Sequence, residues 1–186
     1  MRCRATSILR AALALASVAG GIAGCAVAHI DHPVVERING NRIEDHIEFW
    51  HTLAKTPVAC NDDAFHGLLL DLDGRDSSAD YADRVAALQA RQLLPAGFNR
   101  PGNEAISRGT LAVILVRALH IKGGVIMRLT GVTPRYAVRE LRYTGLFPPS
   151  SENQGFSGLE YLNVIARFEE IRSGANDDVP ASIMPG

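Results

Sequence analysis

The fold is decided by the stretch Ile106-Ser-Arg-Gly-Thr-Leu-Ala-Val-Ile-Leu-Val-Arg-Ala-Leu-His-Ile121. Ser107 is a typical helix N-cap, and apolar residues follow it for more than two turns until Gly123-Gly124 ends the pattern. Because apolar residues occupy nearly all sides of this predicted helix, we expect it to be the most buried helix of the protein. A second predicted helix, Tyr81–Leu94, precedes it, and a loop rich in Gly, Pro and Asn joins the two.

The same pattern returns 50 residues later, without gaps, in Phe156–Ile171. Ser157 matches Ser107, and Ser157 with Glu160 has the spacing of a capping box, in which side chains pair with backbone amides at a helix start. The segment before it predicts a helix over 135–143, so a helix–loop–helix unit is used at least twice. Further matches are Ile114 with Val164, Leu115 with Ile165, Arg117 with Arg167, and Leu93-Leu94-Pro95 with Leu146-Phe147-Pro148.

A shorter and more diverged copy precedes these two. Its predicted helices cover 44–54 and 62–72, with Asn61-Asp62-Asp63 as the predicted cap of the second. We expect one apolar face of the first helix to be buried, with Trp50 as an anchor of the core. This face consists of Ile43, Ile47, Trp50 and Ala54.

Two amphipathic helices cannot bury their apolar faces alone, whereas three such pairs can. The predicted fold class is therefore mainly α, with three helix–loop–helix units packed as one pseudo-three-fold domain over residues 43–172. Residues 75–80 are predicted to be a polar linker, and Gly123–Gly131 predicts either a short strand or a further helical piece. The units cover about 43–74, 80–122 and 134–172.

Residues 1–24 have the composition of a secretory signal, with three Arg near the start and an apolar run after them. The run is too short for a membrane span, which needs roughly 20 strongly apolar residues. Ile22-Ala23-Gly24-Cys25 resembles the bacterial lipobox, in which the Cys becomes the new N-terminus and carries the lipid. We therefore predict a lipoprotein signal peptide and lipidation of Cys25; an ordinary signal cleaved nearby is the alternative.

The segments that flank the repeats predict a tethered, exported domain. Residues 25–42 have no sustained period and are predicted to be a membrane-proximal linker, with a short extended piece at Val34–Ile38. Residues 173–186 are rich in Gly, Asp, Pro and Ser, which predicts a disordered tail. Ala26 stands where some lipoproteins have the Asp that retains them at the inner membrane, so the outer membrane is favoured where the envelope has two.

Charge and cysteine content narrow the class of partner. The chain has 19 Lys and Arg against 20 Asp and Glu, and residues 1–24 hold three of the Arg and no acid, so the remainder has a formal charge of 16 minus 20, or −4. A mildly acidic, exported chain argues against nucleic acid as a partner. With Cys25 lipidated, only Cys60 remains, so we predict no internal disulfide and expect Cys60 to be buried rather than reactive.

The loop and the start of the central helix resemble the S-layer homology (SLH) repeat, through Gly97-Phe-Asn-Arg-Pro101, Ala105-Ile-Ser-Arg108 and the apolar helix that follows. The resemblance implies a three-copy, mainly helical module that binds cell-wall-linked glycans and holds exported proteins to the envelope. On this resemblance, the candidate glycan-binding residues are Phe98, Ser107 and Arg108.

The sequence also departs from the SLH pattern. An extra residue separates Phe98 from Pro101, and Gly109-Thr110 follows Arg108 where the family has an acid. Gly158 stands in the third copy where the Arg is expected. The glycan-contacting Arg therefore survives in one copy of three, and two interpretations stay open: glycan binding is retained, or only the scaffold is.

Arg108 needs a reason to be in the first turn of a helix, because a cation there opposes the helix macrodipole. An anionic group of a ligand is one reason, since Arg pairs with carboxylates through two parallel hydrogen bonds. A solvated surface Arg with no partner is the other interpretation.

Other polar patterns predict no site. Counting from Asp71, an EF-hand loop would need Gly and Glu at the places held by Asp76 and Ala82, so we predict a polar turn. His46 and His51 are five residues apart, which does not put both on one helical face, so no zinc site is predicted. The chain has no Gly-x-Ser-x-Gly, phosphate-binding Gly-rich loop or paired Cys motif, and we predict no catalytic residue, metal or cofactor.

Together these patterns predict a non-enzymatic, lipid-anchored cell-envelope protein that is tethered to cell-wall polymer. A helical docking module for an envelope protein partner, without glycan binding, is the alternative. An enzyme of unknown class is a third and less favoured interpretation. The expected partners are the membrane, through Cys25, and either a wall glycan or an envelope protein.

Overall fold

The computed structural model describes residues 27–174, and most of this part of the chain is helical. β pairing within it is limited to two isolated bridges, His29 with Glu104 and Cys60 with Ala105. The mainly α fold class is therefore confirmed, and none of these helices is long and apolar enough to cross a membrane. The predicted signal, Cys25 and the tail after Gly174 lie outside the described residues. The α-helices are α1 (Ile43–Leu53), α2 (Asn61–Asp73), α3 (Tyr81–Ala90), α4 (Arg108–Ala118), α5 (Val125–Thr130), α6 (Pro134–Tyr143) and α7 (Gly158–Arg172).

Helices α4 and α7 begin where their capping residues predict. Ser107 Oγ accepts a hydrogen bond from the backbone N–H of Thr110 at 3.1 Å. At α7, Ser157 Oγ accepts from Glu160 N at 3.2 Å, and the Glu160 carboxylate accepts from Ser157 N at 2.9 Å, which completes the predicted capping box. The undecided segment Gly123–Gly131 contains a helix, α5.

The helices of different predicted units pack against one another. Helix α2 contacts α3, α4 contacts α6, and α7 contacts α1 as well as α2. The first backbone N–H of the second helix of each predicted unit donates to a loop of another predicted unit. That of α2 donates to the loop before α4, that of α4 to the loop before α7, and that of α7 to the loop before α2. Amides that a helix start leaves free are satisfied in this way. The bonds are Asn61 N to Glu104 O (2.8 Å), Arg108 N to Gln154 O (2.7 Å) and Gly158 N to Thr56 O (3.1 Å).

The residues that precede the three N-caps meet inside the molecule. Ile106 N donates to Ala59 O at 3.0 Å, and Ala59 N donates to Phe156 O at 2.9 Å. All three side chains are buried. The loops of the three predicted units therefore converge at one place in the core.

Helix α4 is central, but the prediction that it is the most buried helix is wrong. Eight of its eleven residues are buried, whereas α2 buries the unbroken run Asn61–Leu70. The reason is the number of neighbours, since α2 contacts α1, α3 and α7. Its buried run includes polar residues, which hydrophobic periodicity does not detect.

The predicted buried face of α1 is wrong at Ile43 and Ile47, whereas Trp50 is half-buried and packs against the core as predicted. Ile43 and Ile47 are 70% and 64% exposed, whereas Phe49 and Leu53 are fully buried. The ring of Phe49 packs edge-to-face on the ring of His66, with 4.6 Å between centroids. Helix α1 therefore carries two apolar sets, and the set with Phe49 and Leu53 is the one that α2 and the core bury completely.

Two glycines allow α1 to come close to its neighbours. A Cβ at Gly67 would lie 2.7 Å from the indole of Trp50, so the missing side chain lets the half-buried Trp50 pack on the core. A Cβ at Gly158 would lie 1.7 Å from the carbonyl oxygen of Leu53. The third unit therefore has Gly where the second has Arg108 because the end of α1 occupies the space of a side chain.

The predicted cap of α2 by Asn61-Asp62-Asp63 is wrong, since its N-cap is Cys60. The polar side chains of its first turn bind other segments instead: Asn61 Nδ2 donates to Pro101 O at 2.8 Å, and Asp63 Oδ1 accepts from Val35 N at 2.8 Å. These bonds fix two loops to the start of α2.

The packed part of the chain begins earlier than predicted. The expected extended piece at Val34–Ile38 contains a 3-10 helix, Val34–Glu36, and both of its valines are buried in the core. Residues 28–30 are fixed as well, because Ala105 N donates to Ala28 O and Ile30 N donates to Asn103 O, each at 2.8 Å. This part of the predicted linker therefore belongs to the folded domain.

Candidate functional site

An open groove lies beside the start of α4, where the second and third predicted units meet. It has a volume of about 260 Å³ and runs between α7 and the segment that leads to it. We call it the Arg108 groove; it is lined by Arg108, Gly145, Leu146, Phe147, Pro148, Phe156, Glu160, Asn163, Val164 and Arg167.

Arg108 forms the inner end of this groove and is bound within the protein. Its residue is only 6% exposed, and Nη2 donates to Glu160 Oε1 at 3.0 Å while Nε donates to the carbonyl of Gly155 at 3.2 Å. The guanidinium carbon lies 4.7 Å from the centre of the Phe156 ring, in cation–π contact. The interpretation of Arg108 as a solvated surface residue is therefore wrong, and Glu160 supplies the anion that its position requires.

Glu160 has two functions in the groove. It completes the capping box of α7, and its side chain, 49% exposed, pairs with Arg108. The backbone N–H of Ser157 and the charge of Arg108 lower the pKa of the Glu160 carboxyl despite its partial burial. The carboxylate is therefore ionised at neutral pH, and its half-exposed oxygens remain open to a ligand.

The groove is lined by exposed polar residues of α7 and by a buried aromatic pair that forms its floor. Asn163 and Arg167 are exposed, and Arg167 Nη1 donates to the carbonyl of Gly145 at 2.9 Å. The rings of Phe147 and Phe156 meet edge-to-face with 5.6 Å between centroids. Hydrogen-bonding groups of both kinds thus lie next to an apolar floor, which suits a ligand with hydroxyl groups on a carbon ring.

Of the three predicted binding residues, only Arg108 lines this groove. Ser107 is adjacent in sequence, but its hydroxyl accepts from Thr110 N and so caps α4. Phe98 lies elsewhere, half-buried against α2, with its ring 5.6 Å from that of Phe65. None of the contacts of Phe98 described within residues 27–174 reaches the Arg108 groove.

The sequence patterns do not predict Asn163 or Arg167 as groove residues, although the sequence contains one signal for Arg167. Arg167 matches Arg117 in the internal alignment, and both have the same local function. Arg117 Nη1 donates to the carbonyl of Gln92 at 3.0 Å, as Arg167 does to that of Gly145. Gln92 and Gly145 have positive φ angles of 60° and 77° after the ends of α3 and α6.

A second polar cluster is buried between α2 and α3. Asp76 Oδ2 accepts from Arg84 Nε at 2.6 Å and lies 2.7 Å from His66 Nδ1, and Arg84 Nη1 donates to Asp62 Oδ1 at 2.8 Å. We call these four residues the Asp76 network. The prediction of a polar linker at 75–80 is wrong for Asp76, whose side chain is fully buried.

The chemistry of the Asp76 network is that of a structural anchor. Burial would raise the pKa of Asp76, but the hydrogen bonds from His66, Ser78 and Arg84 outweigh it and hold the pKa well below its usual range. Asp76 also exchanges two bonds with Asn41, at 2.7 and 2.8 Å, and so joins the segment before α1 to the loop after α2. A buried Asp–His pair can support a nucleophile, but the His66 side chain is 1% exposed and faces the Phe49 ring rather than a cleft.

Metal ligation and thiol chemistry find little support in the described part of the chain. No group of three or more His, Cys, Asp and Glu side chains among residues 27–174 is arranged to hold a metal ion. Cys60 is buried, as expected, and burial raises the pKa of its thiol, which keeps it protonated and unreactive at neutral pH.

Comparison of the chain with protein-family models, with curated proteins and with solved structures finds no match.

Proposed function

We propose that this chain is a non-enzymatic, lipid-anchored cell-envelope protein whose three SLH-like units form a pseudo-three-fold domain that binds cell-wall polymer in the Arg108 groove. The observation that carries the proposal is the composition of the groove. It lies where two units meet, next to the SLH-like motif at Ser107-Arg108, and it combines exposed polar side chains with paired aromatic rings.

The contacts between units support the pseudo-three-fold arrangement. The second helix of each unit packs against the first helix of the next, from α2 to α3, from α4 to α6 and from α7 back to α1. The helix-start bonds described above follow the same closed order. A ring of three units buries apolar faces that no single helix pair could cover.

The polar groups of the groove support a sugar as the ligand. The Glu160 carboxylate accepts hydrogen bonds, Arg167 donates them, and the Asn163 amide does both, which matches hydroxyl groups that donate and accept. The volume of about 260 Å³ is slightly below the roughly 300–1,000 Å³ of sites that enclose a drug-sized molecule. We therefore expect one sugar residue of a polymer to enter the groove while its neighbours stay in solvent.

The fixed position of residues 28–30 supports a short anchor. Three chain steps separate Cys25 from Ala28, and they span at most about 11 Å. Since Ala28 O accepts a hydrogen bond from Ala105 N, a lipid on Cys25 would hold the domain against the membrane surface. Where the envelope has two membranes, we propose that this is the outer membrane. Labelling cells with radioactive palmitate tests this: Cys25→Ser should lose the label and Cys60→Ser should keep it.

The wall-binding proposal is tested by co-sedimentation. The full chain, extracted from membranes in detergent, is mixed with purified cell wall or with cellulose as an unrelated insoluble glycan, and the pellet is analysed. We expect retention on cell wall only. Equal recovery of the protein in the pellets of the two materials, or recovery with neither, would contradict the proposal.

A second candidate function is docking to an envelope protein, and the exposed face of α1 favours it. Ile43 and Ile47 are one turn apart and mostly exposed, which leaves an apolar stripe available to a partner. If this stripe docks a protein, Ile47→Gln should abolish co-purification of that protein from detergent extracts while the neighbouring Glu48→Gln does not.

A further inference from the structure

A second and larger groove lies at the other end of α4, a helix of eleven residues and so about 16 Å long. It has a volume of about 920 Å³ and opens between the C-terminal ends of α2, α3 and α4. We call it the Arg117 groove. Its floor contains half-buried apolar side chains, Leu72, Ile121 and Val132, and its rim contains Arg91, Arg117 and Lys122.

The rim of the Arg117 groove carries more positive than negative charge. Arg91 pairs with Asp73, the acid of the lining. Arg117 donates only to backbone carbonyls in its described hydrogen bonds, at Gln92 and Leu93, and Lys122 is exposed. Cations near the C-terminal ends of helices stabilise the helix dipoles. Arg117 and Lys122, which pair with no carboxylate in the described contacts and lie beside an apolar floor, also favour binding of an acidic, partly apolar segment.

The last turn of α7 contacts the end of α2, beside the groove. Arg172 Nη2 donates to the backbone oxygen and to Oδ2 of Asp71, each at 2.9 Å. Asp71 directly precedes Leu72 and Asp73, which line the groove. The end of α7 therefore lies next to the helix, α2, whose last residues line the Arg117 groove.

Residues 175–186 have the matching composition. Their sequence is Ala-Asn-Asp-Asp-Val-Pro-Ala-Ser-Ile-Met-Pro-Gly, with two acids, no Lys or Arg, and apolar residues after the acids. Twelve residues extend over as much as about 40 Å, which is enough to cross the groove.

We propose that residues 175–186 bind in the Arg117 groove of the same chain, with Asp177 and Asp178 at the cationic rim and the apolar residues after them on the floor. The groove is then a peptide-binding site for a segment of the same chain. The proposal does not depend on the function of the Arg108 groove.

Disulfide trapping in the full chain tests this proposal. The pair Lys122→Cys with Ser182→Cys joins groove and tail, and the pair Arg75→Cys with Ser182→Cys is the control, because Arg75 also follows the end of α2 and is exposed but does not line this groove. Under mild oxidation we expect the groove pair to form an intramolecular disulfide at least tenfold faster than the control pair. Equal rates, or a disulfide-linked dimer as the only product, would overturn the proposal.

Charge reversal distinguishes binding of the tail in the groove from random encounters of the two cysteines. Asp177→Lys with Asp178→Lys, added to the groove pair, should slow trapping at least fivefold, and 0.5 M salt should slow trapping of the parent pair in the same direction. A synthetic peptide of residues 175–186 should compete with the tail and slow trapping as well. If trapping is insensitive to charge, salt and peptide, the tail does not bind in the groove.

Discussion

At the scale of single residues, Arg108 shows why a cation is tolerated in the first turn of a helix. Its guanidinium contacts the carboxylate of Glu160 and the ring of Phe156, both from the neighbouring unit. The same residue that the SLH resemblance marks for a ligand therefore links two units. Its contribution to stability and any contribution to binding can be separated by substitution.

Arg108→Gln should lower the free energy of unfolding by about 1–2 kcal/mol, because it removes a charge-assisted hydrogen bond and a cation–π contact from a buried site. Arg142→Gln is the matched control, since Arg142 is exposed near the end of α6. Urea denaturation followed by circular dichroism measures both. Equal stability of the two variants would contradict a linking role for Arg108.

Asp76→Asn should be more severe, at about 3–5 kcal/mol, because it leaves the buried charge of Arg84 with only part of its partners. The neighbouring Ser77→Ala changes an exposed side chain and should stay within about 0.5 kcal/mol of the parent. A thermal scan of the two variants compares them directly. A small effect of Asp76→Asn would mean that the network does not anchor the loop after α2.

The pH dependence of stability follows from the same network. The folded-state pKa of Asp76 is lower than its unfolded value, so the unfolded chain takes up this proton first as the pH falls. The ionised Asp76 thus stabilises the fold above about pH 4, and that contribution is lost progressively at lower pH. Urea titrations at several pH values between 5 and 2 should show a steeper loss for the parent than for Asp76→Asn; parallel curves would show that another carboxylate is responsible.

At the scale of elements, the start of α7 depends on the absence of a side chain at Gly158. Its amide bonds to Thr56, and a Cβ would collide with the Leu53 carbonyl, which is backbone and cannot rotate away. The contact joins the third unit to the first.

Gly158→Ala should therefore destabilise the protein by about 1–3 kcal/mol through overpacking. Gly155→Ala is the control three residues earlier, where a Cβ would meet Ala105 at an ordinary 3.8 Å. The shift in the urea midpoint measures the difference. If both variants unfold at the same midpoint, α1 does not pack against α7 as described.

Elements with local signals could be predicted from the sequence. The caps Ser107 and Ser157 lie within three residues of the amides that they bind, so α4 and α7 were readable from spacing. The match of Arg117 with Arg167 was readable because each side chain binds the carbonyl of a residue that follows the preceding helix, α3 or α6. These interactions depend little on the rest of the fold.

Features that depend on distant contacts could not be predicted in this way. Helix α1 has two apolar sets, and only its contact with α2 selects Phe49 over Ile47. Asp76 looked like a residue of a polar turn, and only Arg84 and His66 explain its burial. The Arg108 groove combines residues up to 59 positions apart, from α4 to Arg167, so no spacing rule could identify it.

At the scale of the whole molecule, the first predicted unit differs from the other two predicted units in its loop. Seven residues, 54–60, join α1 to α2, whereas seventeen join α3 to α4 and fourteen join α6 to α7. The short loop brings the end of α1 directly onto the start of α7, and the corresponding junction between units two and three carries the Arg108 groove. We therefore expect binding at one junction rather than at three.

The two grooves also lie at opposite ends of α4. The segment 28–30, which leads toward Cys25, is bonded to the loop at the start of α4, near the Arg108 groove. The Arg117 groove is at the other end. In the proposed arrangement, one end of the domain faces the membrane and wall, and the other faces away.

The affinity of the Arg108 groove for soluble fragments of cell-wall glycan, measured by isothermal titration calorimetry, tests the central claim most directly. Asn163→Ala changes an exposed lining residue, and Glu170→Ala changes an exposed residue of the same helix outside the groove. We expect Asn163→Ala to weaken binding about tenfold, the effect of losing about 1.4 kcal/mol of hydrogen bonding, and Glu170→Ala to bind as the parent does. Equal affinity of all three proteins, or no binding by the parent, would contradict the account.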